Sequence, residues 1–257
     1  MKILLTNDDG IDAVGIRTMY ERLSTVADVT VVAPVDDQSA VGRQISRTVE
    51  VHEHETGYGI EGTPSDCIIA GIGSLDIDPD LVVAGANQGA NLGSYVLGRS
   101  GTVSAAVEAT FFDVPAIATS VYFPGDEFSF EDFTPEPAYF QEAVRAVEYL
   151  VERVPGTGVF ETADYLNVNA PLPPDEGTAP MAITHPSRVY EMDAERDGRT
   201  IEINDRIWKQ MADGTISDPA GSDRRTVFDG SVSVSPLSTP HTSVIHDGLD
   251  EIASSYG

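Results

Sequence analysis

Short apolar runs that end in polar or glycine-rich loops recur along this chain, and they leave few folds open to it. Lys2-Ile3-Leu4-Leu5-Thr6, Val29-Thr30-Val31-Val32-Ala33, Leu81-Val82-Val83-Ala84 and Pro115-Ala116-Ile117-Ala118-Thr119 are each about one strand long and apolar at successive positions. A strand wet on one face alternates, whereas a continuous apolar run is covered on both faces, as in a parallel sheet. Between the runs lie helical patterns. Ile16, Met19, Tyr20 and Leu23 share one helical face, residues 64–72 place Cys67, Ile68, Ile69 and Ile72 after a turn, and residues 103–112 suit a third helix. Strand and helix in alternation predict an α/β fold with a doubly wound, Rossmann-like, mostly parallel sheet.

The later part of the chain reads differently. Residues 122–137 are rich in Phe, acid and Pro and read as a surface loop, and residues 138–154 form an amphipathic helix through Phe140, Val144, Val147 and Val151. Tyr165-Leu166-Asn167-Val168-Asn169 is strand-like. Thr200-Ile201-Glu202-Ile203-Asn204 alternates after the turn pair Asp197-Gly198, which predicts a β-hairpin arm over about 187–211 with Trp208 in its packing. Ser231-Val232-Ser233-Val234-Ser235 is a late strand and 242–256 a closing helix. The expected division is a binding core over 1–125 and a C-terminal part over 126–257 that carries the arm.

Charge narrows the partners. With 15 basic against 42 acidic residues the net charge is −27, and only Lys2 and Lys209 are lysines. Such a surface repels duplex nucleic acid and anionic membranes. Repulsion on this scale calls for screening by salt, and low lysine with abundant carboxylate resembles proteins of extreme halophiles. Cys67, the single cysteine, excludes an intrachain disulfide. No signal-like leader precedes the first strand-like run and no apolar stretch approaches the ~20 residues of a membrane span. A cytoplasmic protein is expected.

In an open parallel sheet, ligands sit beyond the carboxyl ends of the strands. Asn7-Asp8-Asp9-Gly10 follows the first run. Adjacent carboxylates repel each other unless a cation lies beside them, and oxygen ligands suit a hard metal such as Mg²⁺ or Mn²⁺. The plain alternative is an Asx turn with Asp9 capping a helix. Asp36-Asp37-Gln38-Ser39 follows the second run, where Ser39 is either a weak metal ligand or a helix cap. Gly85-Ala86-Asn87-Gln88-Gly89-Ala90-Asn91 follows the third, and Asn87 or Asn91 offers an amide oxygen to a metal or an amide N–H to a phosphate. Its spacing fits neither a dinucleotide fingerprint nor a Walker A loop. Arg99-Ser100-Gly101-Thr102 precedes a helix, which makes either an anion site or an ordinary N-cap. Asp66 stands at another helix start. His52 and His54 alternate in a possible strand, as metal ligands or as a solvated face.

Taken together, these runs resemble the SurE survival-protein family of metal-dependent nucleotidases. The matching segments are Ile3 to Gly10, Val31 to Pro34 with Gln38-Ser39, Gly62 to Cys67, Asp80 to Gly93, Ser100 to Val103 and Pro115 to Ala118. Weaker matches follow at Leu166 to Pro171 and Gly230 to Leu237. The resemblance implies one divalent ion per subunit (Mg²⁺, Mn²⁺ or Co²⁺) on Asp8, Asp9, Ser39 and Asn87. It also implies a phosphate pocket around Asn91 and Ser100-Gly101-Thr102, to which Arg99 can add a charge-assisted contact. The substrates it implies are nucleoside 5′-monophosphates, with 3′-monophosphates and short polyphosphate in some members. Arms exchanged between subunits would build a dimer or tetramer. The chain departs from the family pattern beside the substrate pocket, with Ser94-Tyr95 in place of an acidic pair and an extra residue that introduces Gly98 and Arg99.

The expected chemistry is phosphomonoester hydrolysis by a metal-activated water, with Asp8 or Asp9 orienting it or taking its proton. An aspartyl-phosphate phosphatase would need Asp-x-Asp, and here the carboxylates are adjacent. A nucleotide- or metal-binding regulatory module without turnover is the alternative from another class.

Overall fold

The computed structural model describes residues 1–125, 135–241 and 247–255. The chain alternates through β1 (Lys2–Thr6), α1 (Val14–Leu23), β2 (Asp28–Pro34), β3 (Val51–His54), β4 (Gly57–Ile60), α2 (Pro64–Gly73) and β5 (Leu81–Gln88). It continues through α3 (Ser94–Leu97), α4 (Gly101–Thr110), β6 (Ala116–Val121), α5 (Gln141–Arg153), β7 (Tyr165–Ala170) and β8 (Met181–Ile183). It ends with β9 (Met192–Asp197), β10 (Thr200–Asp205), α6 (Arg206–Ala212), α7 (Asp223–Phe228), β11 (Val232–Leu237) and α8 (Asp247–Ser254).

One sheet of nine strands runs in the order β3-β4-β2-β1-β5-β6-β7-β11-β8. The central pairs are all parallel, and antiparallel pairing is confined to β3/β4 and β7/β11. The chain leaves β1 for β2 on one side and later returns to β5 on the other. The switch point therefore falls between β1 and β5, the place at which open α/β sheets bind their ligands.

The continuous apolar runs have the expected cause, because both faces are covered. Ile3 and Leu5 point to a core shared with Ile16, Met19 and Leu23 of α1 and Val144, Val147 and Val151 of α5. Leu4 points the other way, to Cys67 and Ile68 of α2 and Val103 and Ala106 of α4. Helices of ten residues are marginal alone. Burying Ile16, Met19 and Leu23 contributes roughly 2 kcal/mol each, which outweighs the missing side-chain cap on α1. A reciprocal capping box fixes the start of α2: the Asp66 N–H donates to Thr63 Oγ1 and the Thr63 N–H to Asp66 Oδ2. Asp66 Oδ1 also accepts from the Ser46 N–H at 2.8 Å, so this carboxylate serves the helix start.

Several expectations are corrected. The loop read after Ala84 is still strand: β5 makes a register shift between Ala84 and Asn87 and rejoins β6 through Asn87↔Ser120. Tyr122 and Phe123 are buried rather than part of a surface loop, the rest of which lies partly outside the described residues. β4 escaped the pattern because its sequence is glycine-rich. At Gly57 a Cβ would lie 2.0 Å from the Val31 carbonyl oxygen, so close pairing with β2 requires glycine. The projecting hairpin spans 192–205 rather than 187–211, because Ser187 is buried and α6 buries Ile207 and Met211. Its two-residue turn is Gly198-Arg199, one position later than expected, since Asp197 pairs with Thr200. The expected closing helix lies partly outside the described residues, which show helix over Asp247–Ser254. Among the described residues, no helix is long and apolar enough to cross a membrane.

Candidate metal and phosphate site

Asn7-Asp8-Asp9-Gly10 carries the chain out of β1 toward α1. Asn7 Nδ2 donates to the Gly10 carbonyl at 2.7 Å, and Gly10 takes φ +101°, a conformation open to glycine. Asp8 is 3% exposed, an extreme for a carboxylate. Its backbone carbonyl accepts from the Gln38 N–H at 2.7 Å, which ties the loop after β2 to the loop after β1 and sets Ser39 next in line. Its side chain is held from across the fold by Thr102, whose N–H donates to Oδ2 at 3.1 Å and whose hydroxyl donates to Oδ1. A Cβ on Gly101 would lie 2.7 Å from Asp8 Oδ2, so α4 reaches the carboxylate only because glycine stands there. Asp9 Oδ2 accepts from the Gln88 N–H of β5 at 3.0 Å.

These carboxylates are electrostatically unsatisfied. Burial pushes the Asp8 carboxyl above its ordinary value despite the two hydrogen bonds from Thr102. Burial and then the charge of Asp8 push Asp9 up to about 7, and Asp37 adds to both. No basic side chain figures among the described groups acting on either one. A buried and a half-buried carboxylate side by side are what a hard divalent ion would relieve, and carboxylate, amide and hydroxyl oxygens suit Mg²⁺ or Mn²⁺. The donor set therefore fits such an ion.

The remaining candidates surround this pair. Ser39 is exposed, and its hydroxyl and N–H both donate to Asp37 Oδ1, at 2.6 and 2.8 Å, in a turn rather than at a helix start. Asn87 Nδ2 donates to the Gly89 carbonyl at 2.6 Å, which commits the nitrogen and leaves the amide oxygen open to a cation. Ser100 caps α4 by accepting from the Val103 N–H at 3.1 Å. Both donors of Thr102 are aimed at Asp8, so of the Ser100-Gly101-Thr102 run the Gly101 N–H and the hydroxyl proton of Ser100 remain for an anion at the first turn. Arg99 is exposed, with its guanidinium 5.2 Å from the Tyr95 ring centroid and Nη1 4.0 Å from Met192 Sδ on the arm.

Asn91 is held by residues that local pattern did not single out. Its N–H donates to Asn169 Oδ1 at 2.8 Å, its Nδ2 to Ser120 Oγ at 2.8 Å, and its carbonyl accepts from Asn167 and Asn169. The signal was present in β7, where asparagines interrupt an otherwise apolar run. Buried Asp223 was missed too. It accepts from the Gly93 and Ser187 N–H groups, at 2.7 and 2.8 Å, and pins the segment that departs from the family pattern. Glu50, His52 and Glu61 bring one potential ligand atom each within 4.8 Å of one another, but on the exposed edge hairpin β3–β4.

The fold and this centre define a Rossmann-like α/β protein with two adjacent carboxylates, one buried and one half-buried, at its topological switch point. The chain belongs to the SurE family: the family model described as survival protein SurE matches residues 3–193. It is 67% identical over 256 residues to a Natronomonas pharaonis protein named 5′-nucleotidase SurE, covering 100% of both chains. It is 60% identical to the Haloarcula marismortui protein of that name, over 99% of this chain and 94% of the relative. The crystal structure of SurE protein from Aquifex aeolicus matches with a TM-score of 0.80 at 28% identity, over 98% of this chain and 100% of that one. The first two relatives come from haloarchaea, in keeping with the acidic, lysine-poor composition.

Proposed function

We propose that this protein is a divalent-metal-dependent 5′-nucleotidase that hydrolyses nucleoside 5′-monophosphates. The observation that carries the proposal is the pair of adjacent carboxylates at the switch point of the sheet, Asp8 buried and Asp9 half-buried, both raised above the ordinary carboxylate range with no basic side chain among the described groups acting on them. The names of the haloarchaeal relatives support the reaction. Asp8, Asp9, Ser39 and Asn87 would hold the ion. When bound, it supplies Lewis-acid activation of water and neutralises phosphoryl oxygens. Thr102 keeps the Asp8 carboxylate in one orientation. Asp9, with one oxygen held by the Gln88 N–H, keeps the other to orient water and receive its proton. The Gly101 N–H and the ten-residue helix behind it offer the phosphoryl group partial positive charge, in a loop braced by Asn91. Arg99 adds positive charge from its exposed position beside Tyr95.

The test is a phosphate-release screen of 5′- and 3′-mononucleotides and short polyphosphate with Mg²⁺, Mn²⁺ and Co²⁺ in strong salt. Metal-dependent release from 5′-mononucleotides is expected. Binding without release would make the protein a regulatory module instead. In the same buffers, an ion at a hundred times its Kd should stabilise the protein by about 2.7 kcal/mol, read as a rise in Tm. No shift with any of the three ions would remove the metal centre.

The hairpin supports assembly into a homodimer or homotetramer. Among the described residues β9 and β10 pair only with each other, and Ile201 and Ile203, on one face of β10, are 59% and 70% exposed. Replacing both isoleucines by Asp is expected to convert the assembly to monomer at micromolar concentration, measured by light scattering in strong salt. An unchanged mass would place the interface elsewhere.

A further inference from the structure

Beside the carboxylate centre lies a cavity that the phosphate chemistry does not use. Its volume is about 210 Å³, and Gly89, Ala90, Tyr122, Phe123, Gly125 and Trp208 line it. Two of its walls stand at strand carboxyl ends: Gly89 and Ala90 follow β5, and Tyr122 and Phe123 follow β6. The third is Trp208 of α6, packed with Ala90 against the buried cluster of Leu92, Tyr122, Ile207 and Met211. One stretch of backbone joins the cavity wall to the proposed metal site: the Gln88 N–H donates to Asp9, Asn87 Nδ2 donates to the Gly89 carbonyl, and Gly89 and Ala90 lie between Asn87 and Asn91.

Its lining selects the occupant. Among the described lining residues none is charged, and three are aromatic. An anion gains nothing there, whereas a flat uncharged ring gains stacking and apolar burial. Pockets that take whole drug-sized ligands run to about 300–1,000 Å³, so this one suits a single ring system and not an entire nucleotide.

We infer that the cavity between Trp208 and the Tyr122-Phe123 segment is the nucleobase subsite, which receives the base of a nucleoside monophosphate whose phosphate lies over Gly101. The inference rests on the nucleotidase reading for the identity of its ligand. Stacking is tolerant of base identity, so the subsite accepts purines and pyrimidines and favours the larger ring.

Trp208 is the only tryptophan in the chain, so intrinsic fluorescence reports the cavity directly. Adenosine and AMP, each titrated into the full-length protein in strong salt with and without Mn²⁺, are expected to quench it saturably. In Trp208→Ala, the ratio of kcat/KM for AMP to that for ribose 5-phosphate is expected to fall about tenfold, mainly through KM, as for roughly 1.4 kcal/mol of lost stacking. Trp208→Phe, which keeps a ring and guards against a folding defect in the alanine variant, should restore most of the ratio. No saturable quenching by either ligand, or an unchanged ratio in Trp208→Ala, overturns the inference, as when a second copy of the arm fills the cavity. The two readings fail separately. Quenching without phosphate release from any ester leaves the base subsite and removes the nucleotidase. Phosphate release without quenching does the reverse.

Discussion

Asp9→Asn is expected to lose about a thousandfold in phosphate release while its metal-free form melts at a higher temperature than the wild type. The loss follows from removing a charged ligand and the acceptor for water's proton, roughly 4 kcal/mol of transition-state stabilisation. The gain in stability follows from the same charge. Burial and Asp8 raise the Asp9 carboxyl from its ordinary 3.8 to about 7 in the metal-free protein. Between these values the folded state binds the proton more tightly than the unfolded chain, so stability falls as pH rises through the interval, and the full penalty is present above pH 7. Asparagine carries no such penalty and can still accept from the Gln88 N–H. The Tm advantage of the variant over metal-free wild type should therefore be small at pH 4, grow toward pH 7 and hold at pH 8. Saturating Mn²⁺ should erase or reverse it by stabilising the wild type. Full turnover of Asp9→Asn with saturating metal would sink the proposed centre.

Gly15→Ala should show a large loss of stability. At Gly15 of α1 a Cβ would lie 2.0 Å from the Ala86 carbonyl oxygen and 3.0 Å from Phe140 Cε1. The obstacle is backbone, which cannot rotate aside, so the helix must lift from β5 at the bulge next to Asn87. Overpacking of this kind costs about 3 kcal/mol, or a fall of roughly 10 °C in Tm for a chain of this size. Because the displacement reaches Asn87, metal affinity should fall as well. Gly73→Ala is the control, since nothing lies within 4 Å of that position. It should be neutral or stabilising by about 0.5 kcal/mol. Equal melting temperatures for the two variants would mean that α1 does not sit this close to β5.

Much of the architecture was legible because its cause is local. Leu4 flanked by Ile3 and Leu5 is apolar for two different cores, one on each face, and that double demand writes a continuous run into the sequence. The helices α1, α2 and α5 carry 3.6-residue patterns for the same reason. Elements whose formation depends on a neighbour were not legible. β4 needs Gly57 against Val31, the short α3, α6 and α7 bury too few residues to show a period, and β8 has three residues that pair beside β11. The arm was visible by its alternation, but the anchoring of Ser187 outside the hairpin was not, because Asp223 holds it from 36 positions away.

By itself the sequence determined the fold class and the family, and it proposed a place for the chemistry. Parallel-sheet runs put Asp8-Asp9, Ser39, Asn87 and Ser100-Gly101-Thr102 at one edge, and the ordered motifs marked the family. Only the tertiary structure decided what each residue does there. Thr102, read beforehand as part of the phosphate pocket, spends its hydroxyl and its N–H on Asp8, 94 positions earlier. Arg99 lies against Tyr95 and the arm, and Asn91 is braced by β7. The aromatic cavity joins residues from after β5, from after β6 and from α6. The physical reason is range. Burial periodicity is set within a few residues and can be read along the chain. The partner of a hydrogen bond and the walls of a cavity are chosen by crossovers that bring distant segments together, and no local pattern records which donor will arrive.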